Sequence, residues 1–364
     1  MFNNGQGRMP EKHTDKKSIP CKYFAKGCCR NGDNCPYSHN LNSPTAGEMR
    51  QEKAQGAKKF HVQRFVKNVA MVSTPVRHIA KAFEPFQFFS CEEGNGVGVW
   101  NAGMVYQGRY LENVPVSAMD IQANLFFFAQ RGVQLFDPCV ITAVDVATNQ
   151  SVQIRGENGV INAVLFTSDY NALFAAYDNG LLQCWNFANG AFVEVKRESY
   201  ELPIVSMAYF NGYIILGMKN GFIGLFVLAT CEICKIQISN ADIIGLHITS
   251  NKELVTVSSA GNVTIFSLPN FVEVGKTNLD SFVTASCVCT TVEGVDMLVT
   301  ACEQEKRNPV LSVMKVNGLE KKGLIYEESG RVITLANLGK INNRGDFILS
   351  GCENGAIDLY DLSA

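Results

Sequence analysis

One local pattern recurs seven times along this chain: an apolar strand, a tight turn built on Gly or Asn, and a second strand ending on a large apolar residue. The copies occupy 88–101, 125–137, 172–186, 213–227, 253–267, 296–316 and 346–361. Within them, Asp178-Asn179-Gly180, Asn220-Gly221, Ala260-Gly261-Asn262 and Glu353-Asn354-Gly355 place Asn and Gly where a hairpin needs positive φ. Alternation in the flanking strands, as in Ile357-Asp358-Leu359-Tyr360, turns one strand face inward. A hairpin unit of this size cannot bury its apolar face alone and has to stack on its neighbours. The repeat therefore restricts most of the chain to an array of small sheets sharing one core.

The period fixes the kind of array. The closing residues Trp100, Phe136, Trp185, Phe226, Phe266, Met314 and Tyr360 span 260 residues over six intervals, a mean of about 43. A four-stranded propeller blade takes about 40 to 45 residues, so residues 59–364 hold seven blades. This part resembles the WD40 family, with Trp100-Asn101, Trp185-Asn186 and Tyr360-Asp361 standing where that family has Trp-Asp. Its Gly-His pairs are missing, and the histidines of this region are His61, His78 and His247. The resemblance thus implies apolar blade packing without the family's buried histidine network. Because the last copy ends at Asp361, three residues before the sequence stops, the seventh blade needs an outer strand from elsewhere. Phe60–Val72 is expected to supply it and close the ring, leaving no open edge. Two irregularities are expected on the surface: an insertion at Pro138–Asn149 after the third strand of blade two, and a charged loop at Glu303–Asn308.

Ahead of the repeat lies a different kind of segment. Four of the 13 cysteines, Cys21, Cys28, Cys29 and Cys35, fall within 15 residues of one another, and His39 follows. Three thiolates and one imidazole make a closed tetrahedral set for structural zinc. Cys28 and Cys29 both stand within reach of the second thiolate position. A 19-residue segment, Cys21 to His39, cannot fold on its own apolar surface. The ion has to supply the folding free energy, roughly 10 to 16 kcal/mol in small zinc fingers. The segment resembles the CCCH-type zinc finger family at Tyr23, Phe24, Gly27, Gly32 and Tyr37 as well as at the ligands. That resemblance selects Cys29, so the implied metal site is Cys21, Cys29, Cys35 and His39 around one Zn2+.

In RNA-binding members of that family, single-stranded bases stack on aromatic side chains. The resemblance carries Tyr37 into one stacking position and leaves Asn31 where the other aromatic would stand. With stacking worth about 1 to 3 kcal/mol per base, one finger with one platform implies weak, micromolar or looser binding. Lys22, Phe24, Lys26, Arg30 and Tyr37 are the implied RNA contacts. Charge agrees: residues 1–83 carry 15 Lys/Arg against 5 Asp/Glu, a net +10, while the remainder carries 17 basic and 29 acidic residues, a net −12. Lys12, Lys16, Lys17, Arg50, Lys53, Lys58 and Lys59 flank the finger and would add salt-sensitive phosphate contacts.

The expected organisation is all-β: a basic disordered tail (1–17), a CCCH zinc finger (18–42), a polar linker (43–58) and a seven-bladed WD40-like propeller (59–364). A single finger followed by such a propeller resembles the CCCH zinc-finger WD40-repeat proteins known from plants, and implies an RNA-associated scaffold whose propeller docks protein partners. The alternative is a pure protein adaptor, such as a ubiquitin-ligase substrate receptor, although no copy carries a Trp-Asp-x-Arg motif. Catalysis, a small-molecule substrate and a membrane partner are not expected, since no acid, histidine or nucleophile constellation recurs. The start of the sequence has no apolar signal segment, which points to an intracellular protein of nucleus or cytoplasm. Gly94, Gly96 and Gly98 mimic a phosphate loop but lack the following Lys-Ser/Thr, and are expected to form a hairpin. Cys231 and Cys234 are expected to be buried strand thiols.

Overall fold

The structure is a computed structural model that describes residue 35 and residues 67–82, 87–101, 103–132, 137–148, 150–303, 310–326, 329–341 and 344–362. The chain divides into two compact units, 1–59 and 60–364. The second consists of seven four-stranded antiparallel sheets. Blades one to six run in chain order over 76–110, 116–158, 161–199, 204–237, 243–278 and 282–326, and blade seven holds 332–361. Strands are lettered a to d from the centre outward. Each a strand packs beside the a strands of both neighbouring blades, blade seven against blade one included, so the ring is closed.

Closure uses the expected segment. Lys67–Met71 pairs antiparallel with Ala356–Asp361 and is the d strand of blade seven, with Lys67 opposite Leu359 and Met71 opposite Ala356. Residues 60–66 lie outside the described residues. Val69, Ala70 and Val72 pack with Val76, Phe88 and Trp100 of blade one and Leu349 and Ile357 of blade seven. The closing strand is therefore tied into the core on its inner side.

The apolar residues sort into seven clusters, one between each pair of adjacent blades. Every closing residue of the repeat points into the cluster it shares with the preceding blade: Trp100, Trp185, Phe226, Phe266, Met314 and Tyr360 are all buried there. In blade two that position belongs to Val144, which pairs with Phe126 as Trp100 pairs with Phe88. The assignment of Phe136 is thereby corrected, and Phe136 itself lies outside the described residues. Pro138–Asp145 is the c strand of the blade and not an insertion after it. The b–c turn of blade two is simply longer, with Gly132 folded so tightly on the Asp137 backbone that a Cβ would lie 2.6 Å from its carbonyl oxygen.

The other b–c turns follow the sequence. Gly180, Gly221, Gly261 and Gly355 all have positive φ, which glycine adopts without strain. Each also backs onto the loop leaving its own outer strand. Its carbonyl accepts a hydrogen bond from the loop N–H of Tyr200, Ile238, Leu279 or Val72 at 2.9–3.0 Å. In blade seven that N–H, of Val72, comes from the residue that follows the closing strand.

A second sevenfold feature is invisible in the hairpin copies. Every a strand carries a β-bulge just after a buried β-branched residue: Val76, Val116, Ile161, Ile204, Ile243, Val283 and Val332. A bulge bends and twists a strand, which suits the crowded centre of a ring. Near it, side chains reach across to the next blade. Asn162 Nδ2 donates to Ile204 O at 2.8 Å, Ser206 Oγ to Ile243 O at 2.9 Å and Thr284 Oγ1 to Val332 O at 2.6 Å. His78 Nε2 lies 2.7 Å from Ser117 O, and since a carbonyl only accepts, Nε2 carries the proton.

Candidate zinc and nucleic-acid site

Of the residues the sequence assigns to the metal, Cys35 is described, and it is buried with 4% of its surface exposed. Cys21, Cys29 and His39 lie outside the described residues, as do the RNA candidates Lys22, Phe24, Lys26, Arg30 and Tyr37. Burial of a thiol in a segment too short for an apolar core is what an internal metal would impose, and three thiols with one imidazole suit zinc. Among the described residues there is no further group of three or more His, Cys, Asp or Glu side chains able to hold a metal ion.

The propeller supplies polar structure of its own. In blade one, Trp100 Nε1 donates to Ser90 Oγ at 2.8 Å, and Ser90 Oγ lies 3.4 Å from Glu92 Oε1. Glu92 is fully buried and is paired with Arg109 at 2.7 Å. Gly98 makes room for this cluster, because a Cβ there would stand within 3.0 Å of both Ser90 Oγ and Glu92 Oε1. Blade one thus keeps a buried Trp–Ser contact and terminates it on a carboxylate–guanidinium pair. The sequence signal for it is the acid that ends Ser90-Cys91-Glu92, an acidic residue at the buried end of a strand. The Gly94–Gly98 stretch is the expected hairpin, with the turn at 93–95.

His78 and His247 are structural. Burial holds the His78 imidazole below its ordinary range, and burial brings His247 down to about 4. His247 Nε2 lies 2.8 Å from Ser286 Oγ of the next blade. Burial pushes the Cys91 and Cys289 thiols up to about 12, so these groups are protonated spacers in the blade interfaces. Cys231 and Cys234 depart from expectation. Both are exposed, because the c–d turn of blade four places Cys231 at φ +55 and the d strand Ile233–Gln237 faces solvent throughout. The charged loop of blade six falls mainly on residues 304–309, outside the described residues.

One surface constellation had no sequence signal. Tyr170, in the a–b turn of blade three, and Tyr209, on the a strand of blade four, stand 6.5 Å apart between ring centroids at an interplanar angle of 78°. Tyr209 donates its hydroxyl hydrogen to Asp169 Oδ2 at 3.0 Å. The residues are about 40 positions apart, and only blade stacking brings them together.

With this geometry in hand, comparison with known proteins separates the two units. Residues 19–40 match the CCCH-type zinc finger family. A Drosophila melanogaster protein, zinc finger CCCH domain-containing protein 15 homolog, is 40% identical over 50 residues, which is 14% of this chain and 12% of that protein. The chain thus matches only a small part of that relative's length. The remainder is similar in fold to the β-propeller domain of Cps50 (Swd1) from Myceliophteria thermophila. The TM-score is 0.65 at 11% identity over 80% of this chain and 98% of that one. It is likewise similar to the computationally designed protein Ika8, with a TM-score of 0.58 at 13% identity over 80% and 97%. The match to the finger family implies zinc binding, and the structural likeness to a β-propeller domain supports the propeller fold alone. Among the described residues no helix is long and apolar enough to cross a membrane.

Proposed function

We propose that the protein is an RNA-associated scaffold. In this reading residues 18–42 fold around one Zn2+ held by Cys21, Cys29, Cys35 and His39, residues 43–58 tether the finger, and the propeller loops dock protein partners. The zinc ion acts as a structural crosslink. Lys22, Lys26 and Arg30 approach phosphates, while Phe24 and Tyr37 offer ring faces to unpaired bases. The observation that carries the reading is the finger match at 19–40 lying inside a segment of net +10 on a body of net −12. The acidic body repels phosphate, so RNA contact is confined to the arm.

Fluorescence anisotropy of a labelled single-stranded RNA against the zinc-loaded full chain tests this. Binding in the micromolar range or weaker is expected, falling as salt rises. It should disappear in Cys35→Ser while the propeller's melting transition is unchanged. No saturable, salt-dependent binding below about 100 μM, or binding retained in Cys35→Ser, would overturn the RNA reading. Partners purified from RNase-treated cells on an RNA-blind variant would then favour the adaptor.

A further inference from the structure

We infer that the outer edge of blade four, Ile233–Gln237, takes an extended, acid-bearing segment of a protein partner as a fifth strand. Every blade ends in an outer strand whose open edge could pair with another chain, and proteins blunt such edges with bulges, charges or proline. Among the described residues, six of the seven outer pairs contain a bulge, at 68–70, 99–100, 138–140, 184–185, 265–266 and 313–314. The pair of Phe222–Val227 with Ile233–Gln237 runs in register without one. Its outer strand has no acid, glycine or proline, all five residues are exposed, and Ile233 and Ile236 show 42% and 56% of their surfaces. Blade four thus presents a flat edge that nothing defends.

The ladder fixes which backbone groups this edge offers. Val227 N donates to Glu232 O at 3.0 Å and Ile238 N donates to Gly221 O at 2.9 Å, and both pairs continue the register of the strands between them. Backbone groups alternate between inward and outward along an antiparallel strand. Residues 232, 234, 236 and 238 therefore turn theirs toward the inner strand, and Ile233, Lys235 and Gln237 turn theirs outward. The side chains sort as well. Cys234 and Ile236 lie opposite Leu225 and Ile223, which belong to the cluster shared with blade five. Lys235 lies opposite Gly224 on the other face, its ammonium 5.5 Å from the centroid of the Phe222 ring.

Charge and side-chain pattern select the occupant. Lys235 is the strand's single charged residue and forms no ion pair among the described residues. Past Gln237, a shallow depression of about 530 Å³ is lined by Asn240, Asn262 and Lys276 among others, and by no acidic side chain. This edge is cationic on a body of net −12, so it favours an acid over a base. An added antiparallel strand sets one residue opposite Lys235 on the same face and puts that residue's neighbours on the face of Ile236. An opposite charge is stabilising there and a like charge destabilising, while β-branched neighbours fit against Ile236. The expected segment reads β-branched, acidic, β-branched. Val193-Glu194-Val195 and Val272-Glu273-Val274 of this chain have that pattern, yet both lie in bulged outer strands, and two bodies of net −12 repel one another. A separate protein is therefore favoured over a second copy. The inference goes beyond the loop docking proposed above and is independent of the finger, so failure of the RNA titration leaves it standing.

Fluorescence anisotropy of the full chain with a dye-labelled Ser-Thr-Val-Glu-Val-Thr-Ser peptide provides the test. Saturable binding on the order of 100 μM is expected. Replacing the peptide's glutamate by lysine should weaken it about fivefold, and methylating the glutamate N–H, which removes a ladder bond, should weaken it about tenfold. Both changes leave the protein untouched. In Lys235→Glu the preference should reverse, the lysine peptide binding more tightly than the glutamate peptide. No saturable binding below about 2 mM, unchanged binding of the N-methylated peptide, or an unreversed preference in Lys235→Glu would each overturn the proposal. Concentration-dependent self-association of the full chain that is lost in Lys235→Glu would overturn it in favour of a second copy.

Discussion

His247 and Asp120 occupy the same ring of inner strands and respond to acid in opposite senses. The His247 imidazole ordinarily titrates at 6.5 but sits at about 4 in the fold, through burial. Between those values the unfolded chain takes up a proton that the folded chain refuses, so stability falls as pH drops through 6.5 toward 4. Asp120 does the reverse. Burial raises its carboxyl from 3.8 to about 6, against the opposing hydrogen bonds from the Phe166 and Ile121 N–H groups. The folded state holds a proton that the unfolded chain has released, so stability rises as pH falls from about 6 toward 4. Each offset of about two units is worth about 3 kcal/mol at full expression. Urea denaturation at pH 7.5 and 4.5 should therefore show opposite changes of about 2 kcal/mol relative to the parent. His247→Gln removes the acid loss, and Asp120→Asn removes the acid gain. Parent-like pH slopes in both variants would refute the assignment.

At the scale of the element, the b–c turn glycines carry two constraints that substitutions separate. Gly355 has φ +87, and a Cβ there would come within 2.0 Å of Val72 O, just past the closing strand. Gly190, in the c–d turn of blade three, has φ +79 with open space around it. Gly190→Ala should cost only the conformational penalty, about 1 kcal/mol. Gly355→Ala should cost about 3 kcal/mol or more, since Val72 has to move and its hydrogen bond to Gly355 O is lost. Equilibrium unfolding of the two variants gives the comparison, and equal losses would mean that the close approach contributes nothing. These turns were legible because positive φ selects Asn and Gly, which stand out in any sequence. The a strands were not legible: their recurring mark is one β-branched residue followed by a bulge, and Val76 or Ile204 looks like any other apolar residue. Blade two misled for a related reason. Phe136 stands close to the spacing of a closing aromatic, whereas the long turn at 131–137 moves that role to Val144. Tyr170 and Tyr209 left no trace because the pair exists only across two blades.

The unit 60–364 is a ring held shut by a strand that precedes its first blade in the sequence. The segment that matches the finger family belongs to the unit 1–59, while the closing strand belongs to the unit 60–364, so truncation separates them. Removing residues 1–59 should leave propeller melting within about 1 °C of the parent, since every described blade contact is retained. Removing residues 1–73 deletes the partner of Ala356–Asp361 and the Val69, Ala70 and Val72 side chains of the cluster between blades seven and one. Losing that apolar surface and a five-residue ladder removes at least about 4 kcal/mol, or roughly 10 °C in a domain of this size. It also exposes the c strand of blade seven as an open edge, so the shorter form should associate at concentrations where the longer one stays monomeric. Calorimetry with light scattering on both truncations provides the measurement. A transition in the 74–364 form that matches the parent would show that the ring closes on apolar packing between blades alone, with the arm laid over a structure already complete.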